Sequence, residues 1–132
     1  LLGELPAQAY ILDCVPNMDV ADIQDRAENF VHTLRKARPK TPIILVAGRP
    51  HTNSWIRPAL LLKETQKGEA YRKAYKRLKK GGVKNLYYIS GESLFGDDCE
   101  ASLDASHPSD LGFMRMAESL YPVLRKLCRK PS

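Results

Sequence analysis

Ile43-Ile44-Leu45-Val46 is apolar at every position and rich in β-branched residues, with Thr41-Pro42 before it and Ala47-Gly48 after it. A run so short and apolar throughout reads as a strand buried on both faces, the situation of a parallel sheet covered by helices. Two other runs have the same character: Ala9–Val15, ended by Pro16-Asn17, and Lys84–Ile89. Each is followed by a helical pattern. Asp19 caps a helix whose apolar stripe is Ile23, Ala27, Phe30, Val31 and Leu34, and Pro39 stops it. The next helix carries Leu62, Ala70, Tyr71, Ala74, Tyr75 and Leu78 at helical spacing and ends at Gly81-Gly82, a glycine stop signal. The last runs from about Pro108 to Cys128. This alternation predicts right-handed parallel crossovers and a three-layer α/β sandwich. In such sheets the site lies beyond the carboxyl ends of the strands. The loops leaving those ends are Pro16-Asn17-Met18, Gly48 to Pro58 and Gly91 to His107, so their polar residues should gather on one edge.

At 132 residues the chain has the length of one domain, and its 43% apolar and 27% charged content is that of an ordinary globular protein. No apolar run approaches membrane-spanning length. Leu1 to Pro6 has no signal-peptide pattern and does not begin with Met, as expected of a mature or truncated product. Cys14, Cys99 and Cys128 have no metal-ligand spacing and allow at most one internal disulfide. Neither metal nor cofactor is expected. The net charge of +6 comes mostly from Lys63 to Lys84. Because that stretch is also amphipathic, its charges read as a solvated helix face. No nucleic-acid motif accompanies it, so no nucleic-acid partner is expected.

Asp104-Ala105-Ser106-His107-Pro108-Ser109-Asp110 puts an acid and an imidazole three residues apart, just before the last helix. Pro108 suits a first helical position, and Ser109 and Asp110 suit the residues around it. A short loop against a helix start is a rigid platform, on which Asp104 could fix the tautomer of His107 while the other ring nitrogen takes a proton. The pair alone also fits an ordinary solvated loop. The convergence of the three loops on one edge favours the functional reading.

Asp104-x-x-His107-Pro108, opening a C-terminal helix, resembles the last motif of the SGNH (GDSL-type) hydrolases. Asp13-Cys14-Val15-Pro16-Asn17-Met18 resembles the family's block that supplies an oxyanion-hole Asn. The string from His107 to Ala117 is similar to a branch of bacterial members, many of them secreted carbohydrate or acyl esterases. The resemblance spans about Ala9 to Leu127. It implies that His107 is general base and then general acid, that Asp104 orients it, and that Asn17 donates to the oxyanion. Arg49, His51, Asn53 and Trp55 are candidate pocket residues, and Asp13 is better explained by structure than by chemistry. A secreted or periplasmic setting follows from the resemblance alone.

The departures from the family pattern are specific. No Gly-Asp-Ser block and no second glycine block are present, and Val15, Pro16 and Met18 surround Asn17 where the family has Gly and Asp. Ser90, Ser93, Ser102, Ser106 and Ser109 do not sit on a strand-to-helix turn after a first strand. Leu1 to Gln8 reads as the tail of a helix leading into the family's third strand. The expectation is therefore strands three to five of a flavodoxin-like sheet, part of a larger domain, with Ala9–Val15 as an open edge that pairs with the missing part or with another chain. The expected activity is hydrolysis of a short acyl ester of a carbohydrate or similar small molecule, by a Ser-His-Asp mechanism whose serine lies outside this chain. The competing expectation is a non-catalytic α/β module used for association.

Overall fold

The computed structural model describes residues 1–128, in which the three apolar runs form one parallel sheet in chain order. The strands are β1 (Tyr10–Leu12), β2 (Ile43–Val46) and β3 (Leu86–Ile89). Ile44 of β2 pairs with Ile11 on one side and Tyr87 on the other. All four β2 residues are at most 1% exposed. A central strand without a wet face needs no polar alternation, and the sequence has none. Each strand is shorter than the apolar run that announced it. β1 stops at Leu12 because Cys14 turns into the helical region, and Val15–Asn17 wind into a single 3-10 turn.

Helices α1 (Val20–Ala37), α2 (Pro58–Lys80) and α3 (Asp110–Leu127) supply the outer layers. α1 starts with a reciprocal cap. The Asp19 carboxylate accepts from Asp22 N at 2.8 Å, and the Asp22 carboxylate accepts from Asp19 N at 3.3 Å. α2 ends where Gly82 takes φ +86° and Val83 N donates back to Leu78 O at 3.0 Å, the glycine stop expected from sequence. Ile23, Ala27, Val31 and Leu34 of α1 and Ala70, Tyr71, Ala74 and Leu78 of α2 pack on the sheet face of Tyr10, Leu12, Ile43, Leu45 and Leu86. Met116, Leu120, Val123 and Leu124 of α3 cover Ile44, Val46 and Ile89 on the other face. The chain crosses the sheet in one direction with α1 and α2 on one side, then returns over the opposite side as α3. This is the predicted three-layer α/β sandwich.

Several local expectations are corrected. Phe30 and Leu62, assigned to apolar stripes, are 42% and 59% exposed, because each lies at the margin of its helix's packed face. Pro108 does not open α3. Ser109 is the cap, its hydroxyl accepting from Gly112 N at 3.3 Å, and Pro108 precedes it in an antiparallel bridge with Ser102. Leu1 to Gln8 is not a helical tail. A 3-10 turn at Leu2–Glu4 is clamped to the end of α1 by Arg38, which donates to Gly3 O at 2.7 Å and Glu4 O at 2.8 Å. β1 forms one edge of the sheet, with Ile11 42% exposed on its α3 side. No helix among the described residues is long and apolar enough to cross a membrane.

Candidate active site

The three strand exits are drawn together at the carboxyl edge by close backbone approach. A Cβ on Gly91, just after β3, would lie 1.9 Å from Gly48 O, and a Cβ on Gly48, just after β2, would lie 2.9 Å from Val15 Cγ1. Only glycines let these segments touch, so the first turn of each exit loop is fixed relative to its neighbour.

The Asp104 and His107 side chains meet on this edge. His107 Nδ1 is 2.6 Å from Asp104 Oδ2, while Asp104 Oδ1 accepts from His107 N at 2.7 Å, Ser106 N at 2.9 Å and Ser102 Oγ at 3.1 Å. The His107 ring contact, followed by the two backbone N–H groups, holds the Asp104 carboxyl well below the usual carboxylate range. Between them Ala105 adopts φ +70°, a left-handed conformation that costs an alanine roughly 1 kcal/mol. The turn is held in place from outside. Thr52 N donates to Ala105 O at 3.0 Å, Arg49 Nε donates to Ser106 O at 3.3 Å, and Ser109 N donates to Ala101 O at 2.9 Å. Behind it, α3 approaches so closely that a Cβ on Gly112 would lie 2.2 Å from Ala101 O. The His107 side chain is 80% exposed, leaving Nε2 accessible. An imidazole whose Nδ1–H is spent on a carboxylate presents a lone pair at Nε2, the form a general base requires.

Beside this turn a cleft of about 280 Å³ is bounded by all three strand-exit regions and by α2. Val15 and Pro16 come from the β1 exit, Gly48, Arg49 and His51 from the β2 exit, and Ser106 from the last loop. Leu60, Lys63, Glu64 and Lys67 form the α2 wall. Of the residues picked from sequence, Arg49 and His51 line the cleft. Asn17 is exposed on the turn that carries Val15 and Pro16. Asn53 and Trp55 do not line the cleft. Asn53 Oδ1 is buried without a hydrogen-bond partner among the described residues, and Trp55 is 72% exposed. Asp13 is exposed at the end of β1.

Five serine hydroxyls near the site have partners of their own, while the Ser106 hydroxyl makes no hydrogen bond within the described residues. Ser102 donates to Asp104, Ser90 to Glu92, Ser93 to Ser90 O, Ser109 to Glu100 O and Ser119 to Ser93 O. Among the described residues none reaches the His107 ring, whose hydrogen-bond partner is Asp104.

Reading the α2 charges as a uniformly solvated face misplaced two of them and missed a third group. Lys63 and Lys67 line the cleft, and between them Glu64 binds His51 through both its backbone N–H (3.2 Å) and its ring Nδ1. Burial, together with Arg49, Arg57 and Lys67, holds the His51 imidazole below its ordinary value. The missed signal was spacing. Lys63, Glu64 and Lys67 lie on the first half of α2, whose amino end follows directly from the β2 exit loop, so that half necessarily overlooks the carboxyl edge.

A sequence model of the GDSL-like lipase/acylhydrolase family matches residues 1–125. The crystal structure of a Bacteroides ovatus protein described as a GDSL-like lipase superposes with a TM-score of 0.90 at 36% identity, covering 96% of this chain and 38% of that one. The salicylyl-acyltransferase SsfX3 of a tetracycline biosynthetic pathway shares the fold, with a TM-score of 0.73 at 22% identity over 98% of this chain and 40% of its own. This chain thus spans less than half the length of either structure. A comparison with curated proteins gives no significant match. The family match extends over nearly all of the chain and includes all three strand exits and the Asp104–His107 turn: the chain belongs to the GDSL-like lipase/acylhydrolase family.

Proposed function

We propose that this chain carries the base, the orienting acid and one oxyanion donor of a serine-type ester hydrolase, with the nucleophilic serine supplied by a segment outside it. The observation that carries the reading is the Asp104–His107 pair, with Nδ1 on a carboxylate 2.6 Å away and Nε2 accessible at the carboxyl edge of the sheet. His107 Nε2 takes the proton of the serine hydroxyl as its oxygen attacks the ester carbonyl, and Asp104 stays ionised and stabilises the imidazolium. The imidazolium then gives its proton to the departing alcohol, and water repeats the sequence on the acyl-enzyme. The Asn17 side-chain amide donates to the oxygen that becomes negative in each tetrahedral intermediate, a contribution of about 3–4 kcal/mol in comparable sites. The substrates are acetyl or other short acyl esters of carbohydrates or similar small molecules. The outer edge of β1, with unpaired backbone groups and half-exposed Ile11, is where the rest of the domain pairs.

The test is hydrolysis of p-nitrophenyl acetate by the chain and by a longer polypeptide extending upstream of Leu1, each beside its His107→Ala variant. Activity confined to the longer polypeptide and abolished by His107→Ala is expected. A longer polypeptide with the same activity with and without His107 overturns the assignment. The second reading, an association module, is favoured by the fact that, among the described residues, no serine hydroxyl bonds the His107 ring. It takes over if the longer polypeptide is inactive on short esters.

A further inference from the structure

Within the cleft the charges do not balance. Arg49, Lys63 and Lys67 face it with a single carboxylate, Glu64, and that carboxylate is taken up by His51. Among the described residues none of the three cations stands in an ion pair. Lys63 and Lys67 are one helical turn apart, a like-charge spacing that costs free energy unless something negative lies between or above them. Burial and the neighbouring Lys63 already hold the Lys67 ammonium below its ordinary value. Yet Lys67 is not turned away to water. It donates to Pro16 O at 3.2 Å, next to Asn17. Arg49 is likewise immobilised, its guanidinium 5.1 Å from the centre of the Phe95 ring and its Nε on Ser106 O, adjacent to His107. Its two terminal nitrogens, in the fork geometry that suits a carboxylate, make no hydrogen bond within the described residues.

We propose that this cleft is a subsite for a carboxylate carried by the ester substrate itself, held between the Arg49 fork and the Lys63 and Lys67 ammonium groups. The inference rests on the hydrolase reading above and narrows it to esters with an anionic group a few bonds from the acyl carbon. Neutralising the lysine pair gives such substrates an affinity that neutral esters of the same shape lack. Fixed cations on the Pro16 and Ser106 backbone would also aim the substrate at the turn that carries Asn17 and His107.

The test is binding, which needs no turnover. The ¹⁵N-labelled chain is titrated at low salt with monomethyl succinate and, separately, with dimethyl succinate, following the amides of Gly48, His51 and Glu64. The half-ester is expected to bind at least tenfold more tightly than the neutral diester, and Lys63→Gln/Lys67→Gln is expected to lose at least tenfold in half-ester affinity. Because Lys67 also holds Pro16, Lys63→Gln alone is titrated in parallel and should weaken binding severalfold with a melting temperature no lower than that of the unaltered chain. Equal binding of the two esters, or undiminished half-ester binding by Lys63→Gln and the double variant, overturns the proposal. Half-ester binding beside an inactive longer polypeptide removes the hydrolase reading and leaves the anion subsite. Hydrolysis of neutral esters with no preference for the half-ester does the reverse.

Discussion

Gly112→Ala and Gly68→Ala are the same substitution inside two helices, and the structure gives them opposite signs. In an exposed helix interior, alanine is favoured over glycine by about 1 kcal/mol through backbone entropy. At Gly68 a Cβ meets nothing within 4 Å, so that gain should be realised in full. At Gly112 the Cβ would lie 2.2 Å from Ala101 O and 2.9 Å from Pro108 Cβ, where ordinary contact begins at 3.4 Å. Restoring contact requires α3 and the Ala101 carbonyl to separate by roughly 1 Å, with a packing cost of about 1–3 kcal/mol. Ala101 is fully buried and its carbonyl accepts from Ser109 N, so retreat also strains the cap of α3. The cost exceeds the propensity gain. Thermal unfolding should show Gly68→Ala melting higher by roughly 3–5 °C, and Gly112→Ala lower by up to roughly 8 °C. The Gly112→Ala shift should be accompanied by amide changes at Ser106 and His107, since their turn hangs on the same carbonyl. If Gly112→Ala melts at or above the wild-type temperature, the close approach of α3 does not position the Asp104–His107 turn as argued.

The remaining predictions concern the turn and the segments around it. The lowered Asp104 value means that its contacts contribute stability above the usual carboxylate pKa and lose it as pH falls through the lower folded value. The Asp104 carboxyl should therefore stay ionised as pH falls through the usual carboxylate range at about 4, and NMR of its side-chain carbon should show protonation only in stronger acid. In the longer polypeptide, Asp104→Asn should lower kcat on p-nitrophenyl acetate by on the order of 10³–10⁴. Asn17→Ala should lower it by about 10²–10³ with little change in KM. Arg115 donates to both Asp98 oxygens at 2.6 and 2.5 Å and to Phe95 O at 2.7 Å. Arg115→Lys cannot reproduce that fork and should speed hydrogen exchange across residues 95–100 without unfolding α3.

How far the sequence revealed this arrangement depended on whether the relevant physics was local. β2 and the two helix stops were legible because an all-apolar run and Gly81-Gly82 are decided within a few residues. The ends of β1 were not, since Pro16 and the turn at Cys14 cut short a run that stays apolar up to Val15. Pro108 was misplaced by two positions because Ser109 is the better cap, and the choice was settled by the bridge from Pro108 to Ser102. The contact between Asp104 and His107 was legible because it is contained in four residues. Glu64 was missed because its partner, His51, is thirteen residues away across a loop, and Lys63 and Lys67 looked like any other charges on an amphipathic helix. Asn53 and Trp55 looked like pocket residues only through their neighbourhood in sequence, and the 3-10 turn at Ser54–Ile56 carries them away from the cleft.

The same contrast explains why the site sits where backbone contacts are tightest. In the proposed reading His107 must keep its ring within tenths of an ångström of the reacting oxygen, yet the turn that carries it and Asp104 is exposed and polar, with little apolar surface to bury. Packing energy cannot fix such a turn, so backbone contact has to. Gly91 on Gly48 and Gly48 on Val15 bring exit segments, and Gly112 on Ala101 brings α3 and the last loop, to a distance no other residue allows. The left-handed Ala105 is then held by Thr52 N, and the neighbouring Ser106 carbonyl by Arg49 Nε, both residues of a different loop. Loosening any one of these glycine contacts should therefore disturb His107 more than it disturbs the core. That ordering is measurable: in Gly91→Ala, hydrogen exchange should rise first at Thr52, Ser106 and His107, and only later at Ile44 and Leu45. If the β2 amides opened together with the turn, the edge would be an extension of the core, and its glycines would owe their place to strand packing instead of to the site.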